Sequence, residues 1–348
     1  MRLYFTAVLC TLIVIISYIG FHKSFWQDAS LPVDEEQNGL NDQIILRFSH
    51  VVAEDTPKGQ AAIKFAETLE EKTDGDIRVE IYPNGMLFND DNEFRALINN
   101  DVQMIAPSFS KVTDILPTWQ VLDLPFLFET EKDVEQILTG PYGEQLLNQL
   151  NTFNVKGLGF WHNGFKQMLN TDGLLQKTEN FKGLKIRAMP SNVLQMQFKL
   201  LNAFPVATSF NEVYEELEKK EIDAQENTIS NIYSKGFYKL QKNLTISNHG
   251  ILGYAVMINE DFFNSLPTNL QSDLLDVMDE VSVWNFEHSK QMNDENLNKL
   301  SKFPEIRIET LSAEEKASWQ KVVEPLYTYY ENEISDTHLY EIRRLLNK

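Results

Sequence analysis

The sequence predicts an α/β protein with two lobes. Segments with strand-like and helix-like patterns alternate along the chain, which is typical of a parallel sheet with helices between its strands. A long helical pattern near the C-terminal end has the length to join two such lobes. The 348 residues suffice for two domains of ordinary size, and 43% hydrophobic with 24% charged residues is the composition of a globular protein.

The first half of the chain carries the predicted strands Ile44–Ser49, Ile77–Tyr82 and 102–106 and a short predicted helix at 93–99. Alternating or continuous apolar residues define these strands. Thr56 followed by Pro57 predicts a helix start, because threonine caps helices and proline is favoured at the first helical position.

The second half repeats this order. Its predicted strands are 155–161, 167–170, 184–188 and 222–225, and its predicted helices are 193–201 and 210–219. Apolar residues at helical spacing, with few breakers, predict a long helix over 266–300. Ser312 and Glu315 have the spacing of a capping box and begin a last long helix. The predicted buried face of that helix consists of Trp319, Val322, Val323, Leu326 and Tyr330.

The N-terminal residues indicate where the protein works. Arg2 precedes an uncharged run of nineteen residues over 3–21, which is near the length that spans a bilayer and long for the core of a signal peptide. No small-residue cleavage site follows, and Cys10 lies inside the run, unlike a lipoprotein acceptor cysteine. We expect an uncleaved membrane anchor over 1–26 and a polar linker over 27–43, with the body tethered outside the cell membrane. The alternative is a cleaved signal and a secreted or periplasmic protein.

Charge and motifs exclude several classes of function. The net charge of −20 argues against binding to nucleic acid or to an anionic membrane surface. The sequence has no Gly-x-Ser-x-Gly elbow, no His-Glu-x-x-His and no phosphate-binding loop. Its six histidines include no helical pair at metal-ligand spacing, and the acidic run 90–93 lacks the pattern of a calcium loop. We therefore expect a binding protein without metal or cofactor rather than an enzyme.

Three phrases carry groups that suit a small carboxylate. Lys166 lies in Asn-Gly-Phe-Lys-Gln-Met-Leu-Asn, Arg187 in Gly-Leu-Lys-Ile-Arg-Ala-Met-Pro-Ser, and Asn227 in Ile-Asp-Ala-Gln-Glu-Asn-Thr. A planar guanidinium, a second cation and a neutral amide suit an acid held between two orienting groups. Each residue also has an ordinary alternative role. Arg187 suits a surface ion pair, Lys166 a solvated strand, and Asn227 the cap of a helix that begins near 228.

These three phrases, in this order, resemble the solute-binding proteins of tripartite ATP-independent periplasmic (TRAP) transporters. The resemblance is closest to the branch that binds four-carbon dicarboxylates. Further phrases at 48–59, 81–85, 122–128, 210–214 and 248–254 extend it over roughly residues 44 to 340. Two positions depart from the family pattern: Lys166 stands where most members carry arginine, and Ala224 where glycine is usual. Because an ammonium is a point charge, Lys166 is not expected to grip a carboxylate with two parallel hydrogen bonds.

The resemblance implies a type II periplasmic-binding-protein-like fold, with two lobes and a long helix that spans both. It implies a lobe I made of 44–164 plus 253–292 and a lobe II made of 165–252 plus 293–348. A dicarboxylate of the succinate, fumarate or malate class is expected between them. The expected partner of this monomer is the permease of a TRAP transporter. The alternative is a sensory co-receptor that reports the bound acid to a sensor kinase or a carrier.

The resemblance also adds Phe210 to the ligand site, although an aromatic residue is more commonly part of the core. Strand ends that should face the cleft add four further candidates, which are His50, Ser108, Lys111 and Trp161.

Overall fold

A single nine-stranded sheet organises the protein in a computed structural model that describes residues 43–347. The strands are β1 Ile44–Ser49, β2 Ile77–Tyr82, β3 Met104–Ile105, β4 Val155–Asn170, β5 Lys185–Ala188, β6 Phe204–Ala207, β7 Ala224–Thr228, β8 Asn243–Asn259 and β9 Arg307–Thr310. Their order is β2-β1-β3-β8-β4-β7-β5-β6, and β9 pairs with β8. The boundaries of β1 and β2 are those that the sequence predicted.

The sheet consists of two parallel wings and an antiparallel centre. Strand β1 pairs in parallel with β2 and β3, and β5 pairs in parallel with β6 and β7. In the centre, β8 runs antiparallel to β3 and β4, and β4 runs antiparallel to β7. The prediction of a parallel sheet is therefore confirmed for the wings and wrong for the centre. We call β1 to β3 with the segments that follow each of them the first wing, and β5 to β7 with theirs the second wing.

Strands β4 and β8 cross from one wing to the other. Strand β4 continues through 16 residues, where the sequence predicted separate strands at 155–161 and 167–170. Three register shifts against β8 absorb its irregular pattern. At the middle shift, Gly164 adopts a φ of +120°, which only glycine reaches without strain. Strand β8 has 17 residues and lies beside β4 along most of its length.

Helices cover the sheet and join the wings. They are α1 Pro57–Lys72, α2 Glu93–Ile98, α3 Phe109–Val112, α4 Glu131–Leu138, α5 Pro141–Asn148, α6 Asn192–Leu200, α7 Val213–Glu218, α8 Ile229–Ser234, α9 Glu260–Ser265, α10 Thr268–Leu300, α11 Ala313–Val323, α12 Pro325–Tyr330 and α13 Asp336–Leu345. Thr56 caps α1 as predicted, because its side chain accepts from the amide of Gly59. Helix α10 has 33 residues and packs on α1 of the first wing, on β4, and on α8 of the second wing, so the long connecting helix is confirmed.

The last long helix is broken where the sequence predicted continuity. Ser312 forms the expected capping box at the start of α11, but Pro325 begins a new helix because proline has no N–H for the helical ladder. A π-helical turn at Glu331–Ser335 separates α12 from α13. The side chains predicted to be buried are buried except Val322, which is half-buried.

Two groups of predictions lie beyond these observations. The anchor at 1–26 and the linker at 27–43 fall on residues outside the described part, apart from residue 43. The lobe boundaries stay a prediction. Across residues 43–347, none of the helices combines the length and apolar character that crossing a bilayer requires.

Candidate ligand-binding site

A narrow cavity lies between the two wings, in front of the crossing strands. It is lined by Val51, Val52, Asp90, Ser108, Lys166, Arg187, Met189, Phe210, Glu226, Asn227, Asn231, Leu252 and Tyr254. Both wings contribute through segments at the ends of their parallel strands, which is where α/β sheets commonly bind ligands. The cavity volume of about 30 Å³ holds little more than one or two water molecules. We therefore expect the walls to separate when a ligand the size of a small organic acid enters.

Arg187 places a cation with an unsatisfied hydrogen-bond donor in the cavity wall. It lies in β5 and is 3% exposed. Its Nη2 donates to the carbonyl oxygen of Thr208 at 3.0 Å, while Nε has no partner among the described residues. Burial lowers the pKa of the guanidinium, although Asp90 and Glu226 act in the opposite direction. A buried donor without an acceptor is costly, and a planar guanidinium is well suited to an oxyanion.

Lys166 belongs to a buried chain of hydrogen bonds. Its Nζ lies 2.8 Å from Oε1 of Glu226, whose Oε2 lies 2.8 Å from Nε2 of His249. Burial favours the neutral form of Glu226, but Lys166 and His249 outweigh it and hold its pKa at about 2. The ionised Glu226 only accepts, so His249 donates through Nε2, and its Nδ1 accepts from Ser247 Oγ at 2.7 Å. The positive charge of Lys166 is therefore matched by a carboxylate.

Local sequence explains how this chain is assembled. In β4, Lys166 lies opposite Gly250 of β8, where a Cβ atom would come within 2.8 Å of the lysine Cε. Glycine therefore makes room for the buried side chain. Just beyond this point the register shifts: Met168 pairs with Thr245, so residues 246–249 of β8 have no partner in β4 and form a bulge that delivers His249 to Glu226.

Asn227 is fixed in the cavity wall by three amide contacts. Its Oδ1 accepts from the backbone N–H of Thr228 at 3.1 Å and from Nδ2 of Asn231 at 3.0 Å. Its Nδ2 lies 3.3 Å from Oε1 of Gln225. The side chain thus links β7 to α8, and its orientation is set before any ligand arrives.

The two wings touch through Asp90. This first-wing carboxylate accepts from Ser209 Oγ at 2.6 Å and from the backbone N–H of Phe210 at 3.3 Å, both in the second wing. Lys111 lies 3.1 Å from its Oδ2. Burial opposes ionisation of Asp90, but Lys111 and Ser209 prevail and lower its pKa. These contacts hold the walls of the cavity together.

Comparison with known proteins identifies the family. The model of DctP, bacterial extracellular solute-binding protein, family 7, matches residues 48–333. This chain belongs to that family. Among the relatives of this DctP-family chain, the C4-dicarboxylate-binding protein DctB of Bacillus subtilis is 46% identical over 314 residues, covering 90% of this chain and 89% of the relative. The C4-dicarboxylate-binding periplasmic protein DctP of Shewanella loihica is 40% identical and covers 83% of this chain and 86% of its own length.

Solved structures of TRAP periplasmic solute-binding proteins share the fold. The protein from Shewanella oneidensis, with bound succinate, has a TM-score of 0.84 at 38% identity and covers 88% of this chain and 100% of its own. The protein from Pseudomonas aeruginosa, with bound L-malate, has a TM-score of 0.80 at 34% identity and covers 82% of this chain and 100% of its own. The DctP-family chain thus has the two-lobed α/β fold of type II binding proteins that its sequence predicted.

The cavity brings together five of the eight predicted ligand residues. Those that line it are Arg187, Lys166, Asn227, Phe210 and Ser108. Asn227 does not cap α8 in the ordinary way, since the capping position is Thr228 and no side-chain capping bond is present there. Ser108 approaches the second wing, with Oγ 3.3 Å from Sδ of Met189. Whether these residues touch a ligand stays a prediction.

The other three predicted residues lie outside the cavity lining. Trp161 is fully buried because β4 does not end there, and it packs on Phe48 at 5.8 Å between ring centroids. His50 is also buried against Phe48, and burial together with Lys58 lowers its pKa to about 3. Lys111 is held by Asp90 and by Asp91, at 3.1 and 2.7 Å.

Sequence reasoning missed several residues of this site. Asp90 was considered only as part of a calcium-loop pattern, and Glu226 only as the neighbour of Asn227. His249 lies in a phrase that carried the family resemblance, which was the one available signal. Tyr254 lies in the same phrase, which spans 248–254. Among residues 43–347, no group of three or more metal-ligating side chains is placed to hold a metal ion.

Proposed function

We propose that this protein is an extracytoplasmic receptor that captures a small organic dicarboxylate between its two lobes and delivers it to a TRAP-type transporter. The class of ligand is that of succinate, fumarate and malate. Relatives named as C4-dicarboxylate-binding proteins and the structures with bound succinate and L-malate support this ligand class.

The observation that carries the proposal is the state of Arg187. A guanidinium 3% exposed, without a carboxylate partner among the described residues and with a free Nε, faces a cavity between the wings. Burying a charge without a counter-charge is unfavourable unless a ligand compensates it. A ligand carboxylate supplies both the charge and two parallel acceptors.

The proposed partners follow from family membership. Solute-binding proteins of this family work outside the cytoplasm, and a TRAP permease is the proposed recipient of the ligand. We further propose that residues 1–26 tether the receptor to the outer face of the cell membrane. The sensory role is not favoured, because the names of the relatives reported above describe dicarboxylate binding and none describes signalling.

Calorimetric titration of the purified protein tests the ligand class. Succinate, fumarate and L-malate should bind well, while butyrate and other monocarboxylates of similar length should bind far more weakly. A thermal-shift screen should rank the same acids in the same order, because a ligand that binds only the folded state stabilises it by mass action. Binding of sugars or amino acids without binding of any dicarboxylate would overturn the proposal.

A further inference from the structure

The charges around the cavity do not all cancel. Lys166 is matched by Glu226 at 2.8 Å, and Lys111 is matched by Asp90 and Asp91. Arg187 has no carboxylate partner among the described residues. A dianion would meet only one free positive charge if these were the only cations. A second uncompensated cation would account for the proposed preference for two carboxylates.

Lys58 is such a cation. It lies in the first turn of α1, next to the proline that begins the helix, and is fully buried. Its Nζ donates to the carbonyl oxygen of Ala106 at 2.8 Å and lies 3.8 Å from the centre of the Tyr254 ring. Within 43–347 no carboxylate forms an ion pair with it, and Tyr254 is part of the cavity wall. The ammonium thus lies directly behind this wall. It belongs to the first wing, whereas Arg187 belongs to the second wing.

Among the carboxylic acids near Lys58, Glu93 has the largest effect on its pKa, but Glu93 forms no ion pair with it. Glu93, at the start of α2, is 1% exposed, and neither of its carboxylate oxygens has a hydrogen-bond partner among the described residues. Burial raises the pKa of Glu93 to about 8, so it is mostly neutral at pH 7. Burial lowers the pKa of Lys58 to about 8, although the carboxylates of Glu93 and Asp90 act in the opposite direction. His50, another titratable neighbour, is neutral because burial and Lys58 lower its pKa to about 3, whereas the carboxylate of Asp90 favours the charged form of Lys58.

We propose that Lys58 supplies the second positive charge for a dicarboxylate, acting across the Tyr254 ring on the carboxylate that Arg187 does not hold. Lys58 would then set the preference for dianions without touching the ligand. This inference rests on the proposed function. Ion interactions weaken slowly with distance inside a protein, so a buried charge behind a thin wall still discriminates between ligands of different charge.

The test compares succinate with succinamate, in which one carboxylate is replaced by an amide of nearly the same shape. Lys58→Met removes the charge, and Lys58→Gln removes it while keeping a donor for Ala106. Both variants should lose succinate affinity about ten- to fortyfold, the effect of one charge several ångströms away at an effective dielectric near 20. Succinamate affinity should fall by a clearly smaller factor, because its one carboxylate lies farther from Lys58 than the carboxylate that it lacks.

Two control variants isolate the charge of Lys58. Lys64→Met removes a cation from the same helix, but Lys64 is only half-buried, lies outside the cavity lining and is paired with Glu280 at 3.4 Å, so the succinate preference should be unchanged. Glu93→Gln should also leave it unchanged at pH 7. A marked gain of succinate affinity in Glu93→Gln would mean that Glu93 is ionised and already compensates Lys58, which would overturn the inference.

The remaining outcomes are equally decisive. An unchanged ratio of succinate to succinamate affinity in both Lys58 variants would refute the role of Lys58, and so would equal losses for both ligands, which indicate a purely structural effect. If the wild-type protein binds no four-carbon dicarboxylate, the proposed function fails instead.

Discussion

Replacement of Arg187 is the most direct test of the ligand site. Its Nη2 donates to Thr208 and its Nε has no partner among the described residues, so the guanidinium retains donors for one ligand carboxylate. Arg187→Ala would leave that carboxylate in a buried cleft lined by Asp90 and Glu226, without its partner. Truncating one side of a buried charge pair costs about 2–5 kcal/mol. The expected increase in Kd for succinate is about 30-fold to about 4,000-fold.

Arg187→Lys is the matched variant. It keeps the charge but removes the planar fork, so the two parallel hydrogen bonds cannot form. Its affinity should lie between those of the wild-type protein and Arg187→Ala. Isothermal titration calorimetry at one pH and salt concentration measures all three proteins. Near wild-type affinity in both variants would refute the assignment of Arg187 to the ligand.

The free energy of unfolding of the two Arg187 variants, measured without ligand, is the control for folding. Arg187 has one hydrogen bond, to Thr208, and no ion pair within 43–347. The free energy of unfolding should therefore fall by no more than about 1–3 kcal/mol, the contribution of one hydrogen bond from a charged donor. A larger loss in urea denaturation would show that the arginine stabilises the fold, and the affinity loss could not then be assigned to the ligand.

Three further predictions concern the ion pairs of the cleft and its closure. Lys166→Met removes the ammonium from buried Glu226 and leaves it only the contact with His249, so it should lower the free energy of unfolding by about 3–5 kcal/mol; adding Glu226→Gln should restore part of this in urea denaturation, and no restoration would contradict the pairing. The lowered pKa of Glu226 gives stability that is complete above its ordinary value of 4.5 and is lost as the pH falls toward about 2. The stability advantage of the wild-type protein over Glu226→Gln should therefore shrink below about pH 4.5, and a constant difference would contradict this. Finally, succinate should reduce the radius of gyration in small-angle scattering, and Asp90→Asn or Ser209→Ala should speed its dissociation in stopped-flow experiments; unchanged rates would mean that the Asp90 contacts do not hold the closed form.

Elements with strong local signals were predictable from the sequence. Strands β1 and β2 have clear apolar patterns, and Thr56 with Pro57 determines where α1 begins. In these cases the local residues alone determine the structure, which is why the pattern was sufficient. Arg187, Lys166 and Asn227 were predicted in a different way, from three phrases whose order resembles the TRAP solute-binding proteins, and all three line the cavity.

Features that depend on pairing across the sheet could not be predicted. Strand β4 was divided in two because its pattern changes near Gly164, where the register shift against β8 occurs. The error made Trp161 look like a residue at a strand end, although it lies in mid-strand and is buried. The contact between Glu226 and His249 depends on a bulge in β8, and no sequence pattern gives the size of such a bulge.

Charge pairing explains how a chain with a net charge of −20 holds an anion between its lobes. Because Lys166 and Lys111 are matched by Glu226 and Asp90, they contribute little net attraction for a ligand. Arg187 lies in the second wing and Lys58 in the first, both without a carboxylate partner among the described residues. A ligand drives closure only through interactions that the closed form has and the open form lacks. A dianion would attract both walls at once, whereas a monoanion attracts one. If Lys58 acts as proposed, succinamate at saturation should therefore reduce the radius of gyration less than succinate does. An equal reduction by both ligands would mean that closure does not depend on the second charge of the ligand.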